Sequence, residues 1–599
     1  MLRRVALGAV VAAALFVAAP AHAQSPTSVL GVPCSAGEGG ITVCSGSQPA
    51  RVPSWDGVPL DVDIYLPPDD GKPDPLIVGL HGFGVTKLGT FPGGAYPTER
   101  AQEGYAVIAY SARGQGFSCG VVVSRTAGCE QGWIHLADAR YEVRDTQFLA
   151  GLLVDEGLVA PTRIGVTGSS YGGGQSLMLA TLRDRMMMPD GELVPFESPA
   201  GTPMRIAAAA PYIGWSDLAY ALAPTGRKLD HRANNNYGRL PGITKYSYLQ
   251  GLFAVGLPGF YAPPGADPSA DIQNWKAALD AGPPYDPALS ERILTELRRY
   301  RSSYSVQDHL PRSERKAPAP LSIYNGFTDD IMPPDQALAY YARARKRFPK
   351  SKIGLTFEAN FGHNRGSLVV DSLIADEARD RLFERYLMGD RSVAPPNKVV
   401  TTTQGCNGEP VRGPFETKTW RAQHPGVVRV SDAERQVFSS AGGSEQNATQ
   451  TEPFAGGECP TVGAEDDPGA ASYRGEPATG DGYTLVGSPT ISARIRVNGE
   501  FPEISSRLWD VAPDGSQTMV QHSIYRPRKR GRQTYQLHPA GWHFAEGHVP
   551  KLALLGRDFP YMQAPNGEYT IAVRDLTLEL PVHEKADGGQ VERFRLPKR

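Results

Sequence analysis

Excess charge of either sign is missing: 61 Lys and Arg face 63 Asp and Glu, leaving a formal charge of −2 on 599 residues. So balanced a chain offers no basic face for a phosphate backbone or an anionic bilayer, and nucleic acid and charged membranes drop out as partners held by electrostatics. Long apolar runs are also scarce. Beyond residues 5–19 nothing reaches the ~20 apolar residues that a bilayer span requires. Cysteine is rare at six residues, with no Cys-x-x-Cys and no clustered His/Cys spacing, which argues against a zinc site. No internal repeat is visible. Small molecules or peptides remain as partners, and nothing in the sequence sets an oligomeric state.

The start of the chain has its own pattern. Met1-Leu2-Arg3-Arg4, the apolar run 5–19 and Pro20-Ala21-His22-Ala23 read as a basic n-region, an h-region and an Ala-x-Ala cleavage site. A signal peptide cut after Ala23 is expected, with secreted or periplasmic localisation. In an exported chain six cysteines favour disulfides, and their spacing favours local pairs over the other connectivities: Cys34 with Cys44, Cys119 with Cys129, Cys406 with Cys459.

The remaining length is too great for one core. A hairpin is expected around the turn Trp55-Asp56-Gly57, then unbroken apolar runs at 76–80 and 105–110, of the kind covered on both faces of a parallel sheet. Helical periodicity at 99–103, 136–154 and 374–387, with further buried strands at 206–210, 321–324 and 353–357, completes a βαβ series. Residues 217–312 carry no buried-strand signal, except a helical stretch at 287–300, and read as a lid over the carboxyl edge of the sheet. After Pro395-Pro396 the pattern changes to short alternating segments such as 483–487, 491–497, 504–511 and 518–525. The expected organisation is an α/β domain over 24–395 with the lid inserted, then an all-β jelly-roll sandwich over 396–599, with 441–469 as a surface loop.

Gly168-Ser169-Ser170-Tyr171-Gly172 stands between a strand-like run and a helix-like run. That is the setting of a nucleophile elbow, with Ser170 as nucleophile. On the pentapeptide alone, a glycine-rich turn that only packs helix on strand competes with this reading. A serine hydroxyl needs an imidazole base and a carboxylate to orient it, in chain order Ser, Asp, His for this fold. Asp329, in Gly326-Phe327-Thr328-Asp329-Asp330 after a buried strand, is the chosen acid. Asp330 is the alternative, whichever of the two is not the acid serving as an N-cap for the helix from 335. His363, in Phe361-Gly362-His363, is the only one of twelve histidines that follows both elbow and acid in a loop of the α/β domain. His522, His538, His543 and His548 are expected to serve surface or turn hydrogen bonds. Oxyanion donors are assigned to the amides of Tyr171 and of Phe83 in His81-Gly82-Phe83-Gly84, with His81 orienting its loop. No cofactor is called for.

Ala112-Arg113-Gly114-Gln115-Gly116-Phe117-Ser118, the Ser-Tyr-Gly-Gly of the elbow, and Arg507-Leu508-Trp509-Asp510-Val511-Ala512-Pro513-Asp514-Gly515 together resemble the Xaa-Pro dipeptidyl-peptidase and cocaine-esterase branch of the α/β-hydrolases. The resemblance covers nearly all of the mature chain and implies an α/β-hydrolase with a C-terminal jelly roll, cleaving ester or peptide bonds through a serine triad. Two departures stand out. Members often carry Asp where this chain has Ser111, and a Tyr after the first buried strand where this chain has His-Gly-Phe-Gly. A dipeptide cutter also needs a lid carboxylate for the substrate ammonium, and Asp217 and Asp230 are not distinguishable from ordinary surface acids by sequence. An acyltransferase using the same triad, or a glycan- or cell-wall-binding protein with a disused one, are the rival readings.

Overall fold

A computed structural model describes residues 26–90, 95–232, 241–363, 365, 373–406, 408–452 and 457–595. The expected signal peptide lies outside them. The apolar runs form the middle of a twelve-stranded sheet in which seven neighbours run parallel: Ala106–Tyr110, Asp74–Leu80, Val159–Ser169, Ile206–Tyr212, Leu321–Gly326, Ile353–Glu358 and Val399–Thr401. Ala106–Tyr110 is buried along its whole length, as strands covered by helices on both faces must be. Val62–Leu66 joins antiparallel beside it, after the small hairpin Val52–Pro53 with Pro59–Leu60 that turns at Gly57.

Parallel strands bring their carboxyl ends to one edge. The residues that follow Leu80, Ser169, Gly326 and Glu358 therefore converge there, which is where sequence reading put all the chemistry.

Helices cover the faces much as expected, with one difference. The run 136–154 becomes helical only at Glu142–Asp155. The Glu142 carboxylate turns back to accept from the amides of His135 (2.7 Å) and Asp138 (3.0 Å), holding Leu136 and Ala137 at φ 60° and 55° in a tight non-helical turn. Between Ile206–Tyr212 and Leu321–Gly326 the described residues of the lid form helices Leu218–Leu222, Tyr246–Val255, Ile272–Ala281 and Pro287–Thr295, the last running on into a wide turn at Glu296–Tyr300. Pro287 opens its helix, and Asp286 caps it by accepting from the Leu289 amide at 2.7 Å. Among the described residues no helix is long and apolar enough to cross a membrane.

Past Pro395-Pro396 the chain does not leave the first sheet at once. Val399–Thr401 and Phe415–Thr417 extend it before the sandwich begins. Its two antiparallel sheets are built around Tyr569–Val582, flanked by Thr490–Gly499 and Gly426–Asp432, and around Ile504–Val511, flanked by Gln517–Tyr525 and Val549–Leu555. Inward residues such as Ile491, Leu508, Leu552 and Leu578 fill the space between them. The stretch expected as a surface loop at 441–469 holds a short helix, Glu445–Gln450, capped by Ser444, and the edge strand Thr461–Val462. The three disulfides form in the expected pairs, Cys34–Cys44, Cys119–Cys129 and Cys406–Cys459.

Candidate active site

Strand Val159–Ser169 ends and helix Tyr171–Leu182 begins with a single residue between them. That residue, Ser170, is at φ 55°, ψ −108°, a region costly for any side chain with a Cβ. Its backbone is pinned on both sides: its amide donates to the Tyr212 carbonyl (3.0 Å) and its carbonyl accepts from Gly174 (2.9 Å). The flanking glycines are required by space. A Cβ on Gly168 or Gly172 would lie 2.3 or 2.0 Å from the Leu80 carbonyl oxygen. The sharp elbow is thus written in residue sizes, and it lifts the hydroxyl clear of the sheet.

His363 Nε2 lies 2.7 Å from Ser170 Oγ, and His363 Nδ1 lies 2.8 Å from Asp329 Oδ2. Asp329 is fully buried, and its other oxygen accepts from the amides of Ile331 (3.0 Å) and Met332 (2.9 Å). An ionised carboxylate only accepts, so the imidazole proton sits on Nδ1 and the Nε2 lone pair faces the serine hydroxyl. Glycines again permit the approach. A Cβ on Gly362 would stand 2.6 Å from Asp329 Cα, and one on Gly326 would stand 1.7 Å from the Phe361 carbonyl oxygen.

Both proposed oxyanion positions border this cluster. Tyr171 carries the first amide of its helix, which has no intrahelical acceptor. Its phenol accepts from the Ala137 amide and donates to Glu142, both at 2.9 Å, which fixes the helix start. The Phe83 ring packs 5.3 Å from the Tyr171 ring. Behind them His81 is buried; its Nε2 accepts from the Ala112 amide at 2.8 Å, so Nδ1 donates to the Gly82 carbonyl at 2.6 Å. Burial lowers the His81 imidazole from 6.5 to about 4, with the Gly82 contact working the other way.

A pH effect follows with a definite sign. Between about 4 and 6.5 the unfolded imidazole binds a proton that the folded one refuses, so this group's contribution to stability is lost as pH falls through that window. Its full extent is about 3 kcal/mol. Urea unfolding between pH 7 and 4 should show His81→Gln losing less stability with acid than the parent; equal slopes would mean that His81 is not held neutral.

Above Ser170 lies a cleft enclosing about 720 Å³, open mouth included. Its walls come from the elbow, from three lid helices and from neighbouring loops, and they are apolar and aromatic: Trp215, Leu252, Phe253, Tyr261 and Trp275 are representative. No Asp or Glu is among the lining residues described. The one cation, Lys276, is paired with Asp280 at 2.5 Å.

A family model for X-Pro dipeptidyl-peptidases (S15 family) matches residues 56–356, just over half of the chain. The chain belongs to the S15 family. It is accordingly a serine hydrolase of the kind that acts on esters or peptides. No curated protein matches it. Among solved structures it is similar to a CocE/NonD family hydrolase from Staphylococcus aureus (14% identity, 90% of this chain and 94% of that one, TM-score 0.55). It is also similar to an aminopeptidase from a marine sediment thaumarchaeon (14%, 94% and 98%, 0.55) and to an α-amino acid ester hydrolase (16%, 95% and 100%, 0.56). At these identities the likeness is one of fold, and it spans both the α/β domain and the sandwich.

Several expectations need correction in this S15 chain. Asp330 does not cap the helix Asp335–Arg347, whose N-cap is Pro334 without any side-chain bond. It is fully buried, accepts a fork from Arg365 (Nε at 2.6 Å, Nη2 at 3.0 Å), and has His522 Nε2 at 3.2 Å. Burial would raise this carboxyl, but Arg365 and His522 outweigh it and hold the group far below the usual carboxylate range. Nor is His522 at the surface. It is buried in the sandwich strand Gln517–Tyr525, stacked at 3.8 Å on Tyr561, and burial lowers its basicity against the pull of Asp330. His538 and His543 are buried too, beside Asp335 and Thr484; His548, on Asp510 at 2.9 Å, is the more exposed one. Asp217 is likewise buried, capping its helix at Tyr220 and pairing with Lys228, and Asp230 is half-buried and accepts from Trp420.

Sequence reading missed the residues that back the acid loop. Gln521 donates to the Phe327 carbonyl (3.1 Å) and accepts from Arg365 (3.2 Å), joining the sandwich to both triad loops. Lys245, at the start of lid helix Tyr246–Val255, donates to the Asp330 carbonyl at 2.6 Å, and burial lowers it to about 8 against three nearby aspartates. Arg113 of the Arg-Gly motif is buried too, bidentate on Asp145 and bonded to Asp56, so it joins the hairpin turn to helix Glu142–Asp155.

Proposed function

We propose that this S15 chain is an exported esterase that forms an acyl-enzyme on Ser170 and prefers esters with an apolar acyl group. The observation that carries the preference is the cleft: apolar and aromatic walls stand directly over the nucleophile, and no carboxylate among the described lining residues is available to hold a substrate ammonium. Burying an unpaired ammonium there would cost several kcal/mol, so recognition of a free amino terminus is disfavoured.

In the proposed reaction Ser170 Oγ attacks the ester carbonyl while His363 Nε2 takes the hydroxyl proton. Asp329 holds the resulting imidazolium in place, and the amides of Phe83 and Tyr171 meet the charge on the carbonyl oxygen. The carbon–oxygen bond to the alcohol then breaks, and His363 returns the proton to the departing alkoxide. Water repeats the sequence on the acyl-enzyme and frees the acid. The 2.7 and 2.8 Å contacts support these assignments, since nucleophile, base and acid stand within hydrogen-bond reach before substrate arrives. Export after cleavage at Ala23 is supported by the amino-terminal pattern and by three disulfides, which persist in oxidising compartments.

A panel of p-nitrophenyl esters of rising chain length, run beside Xaa-Pro-p-nitroanilides with free and blocked amino termini, tests this. Turnover of the esters, rising with acyl length until the cleft is filled, is expected, with little anilide release. Anilide release that requires a free amino terminus would replace the esterase reading by a dipeptidyl-peptidase one.

A further inference from the structure

Large apolar side chains that stay exposed are normally scattered singly over a protein surface. Among the described residues eleven do so here, and seven of them fall on three segments. Val85 and Leu88 are on the loop after His81-Gly82. Phe117, Val122 and Val123 are on the loop bridged by Cys119–Cys129. Val255 and Leu257 are at the end of lid helix Tyr246–Val255. Leu88, Val122 and Val123 are 81, 83 and 73% exposed, which is extreme for aliphatic residues in an ordered loop.

The segments adjoin one another. A Cβ on Gly84 would touch Val255 at 2.2 Å, one on Gly116 would touch Thr86 at 2.6 Å, and the Phe260 amide donates to the Gly114 carbonyl at 2.8 Å. They also adjoin the cleft, because Phe83, Leu252 and Phe253, which line it, lie on the same loop and helix as Val85 and Val255. Residues 82–90, 114–125 and 253–260 contain no acidic residue and two cations. Lys87 is buried between Asp61 and Asp63, and Arg125 is spent on the carbonyls of Cys119, Cys129 and Gly132, with its guanidinium over the Phe260 ring. An apolar, uncharged rim therefore surrounds one side of the mouth of an apolar cleft. The Cys119–Cys129 bridge and two hydrogen bonds from Arg51, to the carbonyls of Phe117 and Ser124, tie the most exposed part to the body of the protein.

We infer that this rim is a docking face for a neutral lipid–water surface, placing the mouth of the cleft against a water-insoluble ester. The identity of the substrate rests on the esterase reading above, whereas the docking does not. The three segments carry no exposed unpaired charge of their own, which commits the face to uncharged or zwitterionic lipid, held by burial of apolar area, over an anionic headgroup. Continuity with the cleft favours lipid over a second copy of the chain, since a copy seated on the rim would stand between the mouth of the cleft and its substrate.

The test uses the full mature chain, its Ser170→Ala variant and the triple variant Leu88→Ser, Val122→Ser, Val123→Ser, none of whose three positions belongs to the catalytic cluster. Flotation with phosphatidylcholine vesicles should carry the parent and Ser170→Ala alike, unaffected by 0.5 M salt or by added phosphatidylglycerol. The triple variant should bind on the order of tenfold less or worse. It should also lose about the same factor on emulsified tributyrin while keeping its rate on dissolved p-nitrophenyl acetate. Equal binding of parent and triple variant, or no binding by the parent, would overturn the inference. So would a parent dimer in sedimentation velocity that the triple variant does not form, since the rim would then be a self-association surface. If vesicle binding behaves as described but dissolved esters are not turned over, the esterase reading fails and the docking face stands.

Discussion

Ser170→Ala should lower kcat on a dissolved p-nitrophenyl ester by ~10⁶-fold and abolish covalent labelling by a fluorophosphonate, with the unfolding midpoint changed little. In the proposed reaction the hydroxyl becomes the acyl acceptor, and His363 is already placed 2.7 Å away to receive its proton. The adjacent acids then separate the roles. Asp329→Asn should cost ~10⁴-fold in kcat, because an amide in that place no longer selects the Nδ1–H tautomer. Asp330→Asn should act on stability more than on chemistry, because Asp330 faces Arg365 and His522, not the imidazole of His363. Persistent labelling of Ser170→Ala would move the nucleophile elsewhere, and a larger loss of kcat for Asp330→Asn than for Asp329→Asn would exchange the two acids.

The second large effect concerns stability. Arg365→Met should destabilise the fold by about 3–5 kcal/mol, the usual result of leaving one member of a buried ion pair without its partner. Both side chains of the Asp330–Arg365 pair are fully excluded from solvent, so water cannot replace the lost fork. Because the pair bridges the loop that carries the acid to the loop that carries the base, kcat should fall as well. Combining Arg365→Met with Asp330→Asn should recover part of the stability, since the second change removes the stranded charge. Chemical denaturation of the two single variants and the double variant measures the coupling directly. Strict additivity would show that the fork contributes nothing, and that Asp330 is held by His522 and Lys245 alone.

Much of this architecture is visible in the residues themselves. Unbroken apolar runs such as 76–80, too short for a buried helix and bounded by turn residues, read as strands covered on both faces, and Gly168 and Gly172 announce a close approach that nothing larger would survive. Parallel strands then dictate that Ser170, Asp329 and His363 meet at one edge. What stays hidden is whatever depends on distant segments. Nothing around Leu136 signals that Glu142 will reach back to claim two amides and delay its helix. Nothing near Asp330 points across some 190 residues to His522, which looks like any polar residue of an alternating strand until Tyr561 and Asp330 enclose it. The diproline at 395–396 reads as a boundary, yet strands on its far side still belong to the first sheet, because hydrogen-bond pairing at an edge leaves little trace in hydrophobic pattern. The buried polar contacts between lid, triad loops and sandwich decide which of two neighbouring aspartates does which task, and they are tertiary by nature.

Gln521 and His522 have a consequence for how the molecule comes into being. Every member of the relay has been synthesised by residue 363, but the loops that hold acid and base lean on side chains that emerge more than 150 residues later. A nascent or truncated polypeptide ending before the Gln517–Tyr525 strand has the reactive groups without their buttress, so full hydrolytic competence is expected only once the final third of the chain has folded against the first two.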